Sequence, residues 1–246
     1  MLQVLEAEVG RLASLSVAQT TVLAAVENRR GHPVCVRCGQ SDFAALPGGQ
    51  RYCLACVGMG RVTTASRLVR ARLGPVPAAG PLTWRGELTA AQKTAAQAVV
   101  ASVAAGRDHL LWAVTGAGKT EMLFPVIAAA LAAGQRVAVV SPRVDVVLEL
   151  APRLAAAFAT TPIAVWHGGV AWPQPDAALV VATSHQMLRF YHHFGLMIID
   201  EIDAFPFAQT PMLAYACAQA VVGPTVLLSA TPPVATRRLA RRGVTA

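Results

Sequence analysis

Two strings in this 246-residue chain bring together the groups that phosphate and divalent-metal chemistry needs. Thr115-Gly-Ala-Gly-Lys-Thr120 follows the apolar run at 109–114 and leads into a helical pattern from Met122 to Ala133. Gly116 and Gly118 leave no Cβ in the way of backbone N–H groups turned toward a phosphate, and the start of the helix adds its positive end. Lys119 has the reach for the β- and γ-phosphates, and the Thr120 hydroxyl is placed to ligate magnesium. The candidate nucleotide-binding set is therefore Thr115, Gly116, Ala117, Gly118, Lys119 and Thr120. About eighty residues downstream, Leu196-Met-Ile-Ile199 reads as a buried strand ending in Asp200-Glu-Ile-Asp203. Asp200 would hold the magnesium and Glu201 would orient or deprotonate an attacking water, so that Glu201 and Lys119 are the catalytic candidates. A plain acidic loop gives no reason for two carboxylates to follow four apolar residues.

A third string carries thiolate chemistry. Cys35-x-x-Cys38 and Cys53-x-x-Cys56 stand fourteen residues apart, with Pro47-Gly-Gly49 in a hairpin-sized insert. Each knuckle lets two thiolates reach one ion from a tight turn, so the pattern points to a structural zinc ribbon held by Cys35, Cys38, Cys53 and Cys56. Two disulfides are the alternative; the nucleotide chemistry and an amino terminus with Glu6 and Glu8 where a signal peptide would be basic speak for a reducing compartment. Arg37, Arg51, Arg61 and Arg67 lie around the knuckles, which leaves a DNA-contacting role for the ribbon open. Cys217, inside Leu213-Ala-Tyr-Ala-Cys-Ala, reads as a core residue.

The elements that must position these groups follow from periodicity. Leu2, Leu5, Val9, Leu12, Leu15, Val22, Leu23 and Val26 recur at helical spacing, which predicts an N-terminal helix over 1–30. The ribbon occupies 31–60, a basic helical-looking segment and a Pro/Gly linker fill 61–82, and a third region begins at 83. There, short apolar runs near 109–114, 136–140, 178–182, 196–199 and 225–228 alternate with Ala-rich helical stretches. That predicts an α/β domain with a doubly wound, mainly parallel sheet over 83–246.

Composition fits such a core: 54% of residues are hydrophobic and 14% charged. The apolar stretches are each broken before the roughly 18 residues a membrane span needs. Lys plus Arg exceed Asp plus Glu by 21 to 13, a net charge of +8, which suits a polyanionic partner such as nucleic acid or else reflects Arg used for solubility. His185, His192 and His193 lie close together without a carboxylate pattern and read as surface or nucleic-acid-facing residues.

The first glycine of the phosphate-loop pattern is replaced by Ala113, a form shared with superfamily 2 helicases. Leu88-Thr-Ala-Ala-Gln92 resembles their adenine-reading Q motif, with Gln92 on the adenine edge; Thr89 and Gln92 also spell a helix capping box, and both can hold. Ser141-Pro-Arg-Val144, Trp166-His-Gly-Gly169 and the segment starting at Ala182-Thr183 stand where that superfamily touches a nucleic-acid backbone. The resemblance thus assigns DNA contacts to Pro142, Arg143, His167, Gly168 and Thr183. Ser229-Ala-Thr231 resembles motif III, whose hydroxyls would couple to Asp203.

With Trp84-Arg-Gly-Glu-Leu-Thr-x-x-Gln92 and Asp200-Glu-Ile-Asp-Ala-Phe-Pro-Phe207, the four-cysteine ribbon makes the chain similar to the ComFA family of late-competence ATPases over roughly residues 31–233. The resemblance implies a RecA-like P-loop fold, ATP, Mg2+ and Zn2+ as cofactors, and single-stranded DNA as substrate. It also implies a cytoplasmic location at the inner face of the membrane, beside a DNA-uptake channel and other competence proteins. Such motors complete the ATP site with arginines from a second RecA-like lobe. The matching motifs here end at Thr231, which leaves three origins open: a fragment, a split gene whose second RecA-like lobe acts in trans, or a truncated paralogue. Two other readings remain: a PriA- or RecG-like repair or restart helicase, and a non-catalytic scaffold that binds DNA through its ribbon and ATP for stability.

Overall fold

The computed structural model describes residues 1–13, 15–114, 116–169 and 176–232, and the chain divides into two compact units. The first comprises Met1–Pro75, His185–His193 and Thr210–Ala220; the second comprises Val76–Ser184, Phe194–Gln209 and the chain from Val221 onward.

The first unit is built of strands: β1 (Leu2–Leu5), β2 (Val17–Ala24), β3 (Val26–Arg29), β4 (His32–Cys35), β5 (Phe43–Ala45), β6 (Arg51–Cys53) and β7 (Arg67–Leu73). β7 is the centre of an antiparallel sheet in the order β1-β7-β2, while β3 pairs with β4 and β5 with β6. This overturns the helix expected over 1–30 and the helical reading of the basic segment. Glu6–Leu12 does wind, as a short 3-10 helix, so the helical spacing has local content. Around it, however, Thr20, Thr21 and Val22 are β-branched, and Val69-Arg-Ala-Arg-Leu73 alternates with the period of a strand. Pairing across long sequence separation, Leu2 opposite Ala71 and Val22 opposite Val69, decides the outcome, and local periodicity has no access to it. Gln3 is buried and accepts from Arg70 Nε at 2.9 Å, and the Arg70 guanidinium lies 3.3 Å from the centre of the Tyr191 ring. His193 is buried rather than at the surface, with Nδ1 3.3 Å from the Met1 amine.

The Pro/Gly stretch 74–81, expected as a linker, is not free of the cores. β7 takes up the basic segment as far as Leu73, the first unit ends at Pro75, and Val76, Ala79, Leu82, Trp84 and Leu88 pack onto the second core. Trp84 stands edge-on to Phe124 at 5.4 Å, and a Cβ on Gly86 would lie 2.3 Å from the indole. The chain needs glycine there to fold back over its own tryptophan.

The second unit carries α1 (Ala90–Ala104), β8 (His109–Trp112), α2 (Lys119–Ala132), β9 (Val137–Ser141), α3 (Val144–Ala157), β10 (Ile163–Trp166), β11 (Leu179–Thr183) and β12 (Leu196–Ile199). After α4 (Pro211–Ala220), which belongs to the first unit, β13 (Thr225–Ser229) returns to the second. Its six strands are all parallel, in the order β10-β11-β9-β12-β13-β8, as the alternation of apolar runs and helices requires. β9, β11 and β12 are buried at every position, the burial that turns parallel strands into continuous apolar runs. α2, α3 and α1 supply Phe124, Ile127, Leu154 and Val99 to the same core.

Parallel register has a functional consequence: the loops after all six strands leave from one edge of the sheet. The chain from β8 to β9 passes over β13 and β12, and this crossover opens the edge at which open α/β sheets take their ligands.

Ile198 sits at the centre of β12 with no exposed surface. Ile198→Ala is expected to cost about 2–5 kcal/mol, read as a lower urea midpoint with an unchanged slope; a cost under about 1 kcal/mol would contradict the packing described.

Candidate nucleotide site and cysteine cluster

One cleft of about 880 Å³ at that edge is lined by Gly116, Gly118, Lys119, Thr120, Asp200, Glu201, Asp203, Ser229 and Thr231. The residues singled out in three separate strings therefore meet in one place. Register explains it: Ser229 lies opposite Trp112, the Ala113 N–H donates to the Ser229 carbonyl at 3.3 Å, and the Asp200 N–H donates to the Val140 carbonyl at 2.8 Å. Each loop is thus tied to its neighbour where it leaves the sheet.

In the phosphate loop, Gly116 and Gly118 adopt φ of +79° and +73°, and Gly118 opens α2 from the left-handed region. A Cβ at Gly118 would be strained by that conformation and would lie 2.6 Å from Gln92 Nε2, so the glutamine amide would have to give way. Gln92 is doubly engaged. It completes the capping box with Thr89, its Oε1 accepting from the Thr89 N–H at 2.8 Å, and its Nε2 donates to the Ala117 carbonyl at 2.8 Å. The side chain expected on adenine thus braces the loop. Lys119 Nζ donates to the Ala113 carbonyl at 3.0 Å, and Thr120 is buried at the first turn of α2. Thr115 lies outside the described residues.

The acidic wall is graded. Burial raises the Asp200 carboxyl above the ordinary aspartate range, opposed by the Glu201 N–H, which donates to Asp200 Oδ1 at 2.8 Å, and by the Lys119 charge. Burial likewise raises Glu201, with Arg143 opposing and Asp200 adding to the rise. Asp203 goes the other way: against desolvation, hydrogen bonds from Ser229 and Thr231 hold its carboxyl below the usual range, with Ser229 Oγ at 2.6 Å and the Thr231 hydroxyl also donating. Two carboxyls raised by burial and one held down by two hydroxyls thus stand side by side.

Five residues were read as strand contacts. Arg143 and Gly168 are exposed and His167 is partly so, but Pro142 and Thr183 are buried. Pro142, just after β9, and Thr183, the last residue of β11, present no exposed side chain to a strand, which corrects the expectation for these two. Glu149 and Arg153, which no motif marks, line the same cleft, as does Glu121, which ends the phosphate-loop string and has no expected role at the site. Arg153 donates to Glu121 at 2.6 Å and to Glu149 at 3.1 Å. The signal was available: Val146, Glu149, Leu150 and Arg153 fall at the spacing of one helical face.

The four cysteines lie in the first unit, all buried and unbridged, with sulfurs within 4.8 Å of one another. Two of the separations are 3.7 Å (Cys35 to Cys56) and 3.5 Å (Cys38 to Cys53). Sulfurs arranged tetrahedrally about a zinc ion stand about 3.8 Å apart, so the cluster fits that metal. Arg37, between the first two cysteines and itself buried, donates from Nε to Cys56 Sγ at 3.4 Å and from its terminal nitrogens to the Met59, Cys56 and Gly60 carbonyls. Hydrogen bonds among the four packed thiols lower Cys56, helped by the Arg37 charge, and lower Cys53, while Cys35 and Cys38 are raised. Among the described residues no other group of His, Cys, Asp or Glu has ligand spacing, the three histidines included.

A parallel six-stranded sheet with a glycine-rich loop, a paired carboxylate and a hydroxyl-bound third carboxylate on one edge is the architecture of a RecA-like domain of helicase type. The DEAD/DEAH box helicase model matches residues 89–239. The chain is 41% identical over 219 residues to the competence protein ComFA of Bacillus subtilis (strain 168), covering 85% of this chain and 47% of that protein. It is 40% identical over 213 residues to ComFA of Streptococcus pneumoniae (strain ATCC BAA-255 / R6), covering 85% of this chain and 49% of that protein. The chain belongs to the DEAD/DEAH box helicase family, and within it to the ComFA-like proteins. It spans about half the length of these curated relatives. The replication restart protein PriA of Synechocystis sp. (strain ATCC 27184 / PCC 6803 / Kazusa) is 32% identical over 59% of this chain and 20% of that protein. Among solved structures, the Sulfolobus solfataricus SWI2/SNF2 ATPase core is similar with a TM-score of 0.52, at 19% identity over 63% of this chain and 34% of that one, a likeness of fold.

Gly118→Ala is expected to lower stability by about 1–3 kcal/mol, and adding Gln92→Ala to recover part of that loss, because it removes the atom the new methyl meets. Denaturant melts of the two single variants and the double check this; strictly additive losses would contradict the contact.

Proposed function

We propose that this chain is the ATP-binding half of a competence DNA translocase, working on single-stranded DNA. The observation that carries the reading is the single cleft into which the phosphate loop, Asp200, Glu201 and the Asp203–Ser229–Thr231 cluster all open. Gly116, Ala117, Gly118, Lys119 and Thr120 would hold the phosphates, with Thr115 in the same loop, and Gln92 would serve both the loop and the adenine edge. Thr120 and Asp200 would hold magnesium, which neutralises charge on the transferred phosphoryl group. Glu201 orients the attacking water and accepts its proton, a role its raised carboxyl suits. Lys119, which donates to backbone carbonyls of its own loop, exchanges them for phosphate oxygens. Asp203 passes movement at the nucleotide to β13 through Ser229 and Thr231, the coupling role.

Strand contacts fall to groups on the loops after β9 and β10, Arg143, His167 and Gly168, with Pro142 buried at the start of the first loop and Thr183 buried at the end of β11. Backbone-phosphate binding of this kind tolerates sequence and weakens with salt. Arginines from a second RecA-like lobe would complete the ATP site, and an arginine of that type contributes about 10³ to 10⁵ in turnover. We further assign zinc to Cys35, Cys38, Cys53 and Cys56 as a structural ion, since four thiolates leave no open position. The partners in this reading are a membrane DNA-uptake channel and other competence proteins at the inner face of the cell membrane; no helix of the described residues is long and apolar enough to cross one.

The match to ComFA takes in 85% of the chain, while the match to PriA takes in 59%, which favours competence over replication restart. Steady-state phosphate release at low salt tests the proposal. Turnover should rise with oligothymidylate, vanish in Lys119→Ala, and fall about 10²- to 10⁴-fold in Glu201→Gln with nucleotide binding retained. Preference for forked DNA over plain single strands would move the assignment to a restart helicase. ATP binding with no release under any condition would leave a non-catalytic scaffold.

A further inference from the structure

Arg143 occupies a position that its expected DNA contact does not explain. It is the residue just before α3, in extended conformation, and its guanidinium forks onto Asp145 in the first turn, through Nε at 3.2 Å and through a second, shorter bond. Its remaining terminal nitrogen stands 3.8 Å from Glu201 Oε2. That oxygen is buried and has no hydrogen-bond partner among the described residues, so the Arg143 charge is the group that faces it. Glu201 itself sits at φ +54°, a left-handed conformation that a glutamate adopts only when its surroundings hold it there. Three elements converge here: the loop after β9, the first turn of α3 and the loop after β12.

We propose that Arg143 is a positioning residue that restrains the Glu201 carboxylate until a nucleic-acid phosphate takes its guanidinium, so that strand binding is felt at the hydrolytic carboxylate through one side chain. The inference rests on the proposed ATPase reading and deepens it. A guanidinium is the group for such a transfer, because its planar fork exchanges a carboxylate for a phosphate with the same bidentate geometry. Arg143 is half exposed, so a strand crossing the sheet edge can reach it. The pair is also loose enough to break, since an ion pair at this exposure is worth little. When the strand draws Arg143 away, the Glu201 carboxylate loses the cation facing Oε2 and is left to the water and metal side of the cleft. Asp145 holds the arginine in the meantime beside the positive end of α3, where an unpaired cation would be disfavoured.

The test reads the coupling without requiring turnover. The dissociation constant of a fluorescent ATP analogue with Mg2+ is measured in the absence of DNA and at saturating oligothymidylate. It is measured for the wild-type chain, Arg143→Ala, Glu201→Gln, the double variant and Arg143→Lys. The wild type should show a strand-dependent change of about two- to fivefold, the size an exposed pair can transmit. The change should collapse to unity in each of the first two variants, fall no further in the double, and return in part with Arg143→Lys. A wild-type ratio of one, or a ratio that survives in either Arg143→Ala or Glu201→Gln, overturns the inference. An Arg143 that only binds the strand gives the second pattern, because Glu201→Gln then keeps its ratio. Phosphate release separates this from the broader reading: an intact ratio without Lys119-dependent turnover removes the ATPase and leaves the Arg143 link, and turnover without a ratio does the reverse.

Discussion

The parallel register of the six-stranded sheet is the constraint on which the rest of the second unit depends. Pairing Ser229 with Trp112 and tying the Asp200 N–H to Val140 leaves the loops after β8, β9, β12 and β13 no choice but to open on one edge. Distant segments of the chain become a single cleft because each strand ends at the same height. An antiparallel neighbour anywhere in that set would send one of the loops to the opposite edge and take Lys119, Asp200 or Ser229 with it. The apolar interior, from Phe124 to Ile198, has a mechanical role as well as an energetic one: it holds strands at fixed height so that short side chains can meet.

Around that edge, function is built from small departures from ordinary backbone and charge. Gly118 takes a left-handed conformation with the Gln92 amide close against it, and Glu201 tolerates a left-handed conformation as well. Asp200, Glu201 and Asp203 are chemically alike, but burial raises the first two while two hydroxyls hold the third down. Environment has divided the labour among them. Much the same logic governs the cysteine cluster, where Arg37 supplies the positive charge and donors that a set of packed thiolates needs.

The site was largely legible in the amino-acid sequence. Apolar runs ending in Asp200-Glu201 or leading into Gly116-Ala-Gly-Lys-Thr120 are local signals, since each strand is buried on both faces and each loop follows its strand directly. The cysteine spacing is local too. What escaped was what depends on partners far along the chain. β1, β2 and β7 carry mixed periodicity, and only their pairing with one another makes them strands. Pro142, in the loop after β9, and Thr183, at the end of β11, stand at the expected edge but are buried, a distinction that depends on side-chain direction and that motif order does not carry. Arg153 and Arg143 were each readable as charges, yet their partners Glu121 and Glu201 come from other elements.

The central claim is that the loops after β8, β12 and β13 form one nucleotide site. Hydrogen exchange with and without ATP and Mg2+ tests it most directly. Amides of residues 116–122, 199–204 and 229–231 should gain protection together, at one nucleotide concentration and only with magnesium. Protection confined to the phosphate loop, or appearing at the three segments at different concentrations, would contradict it.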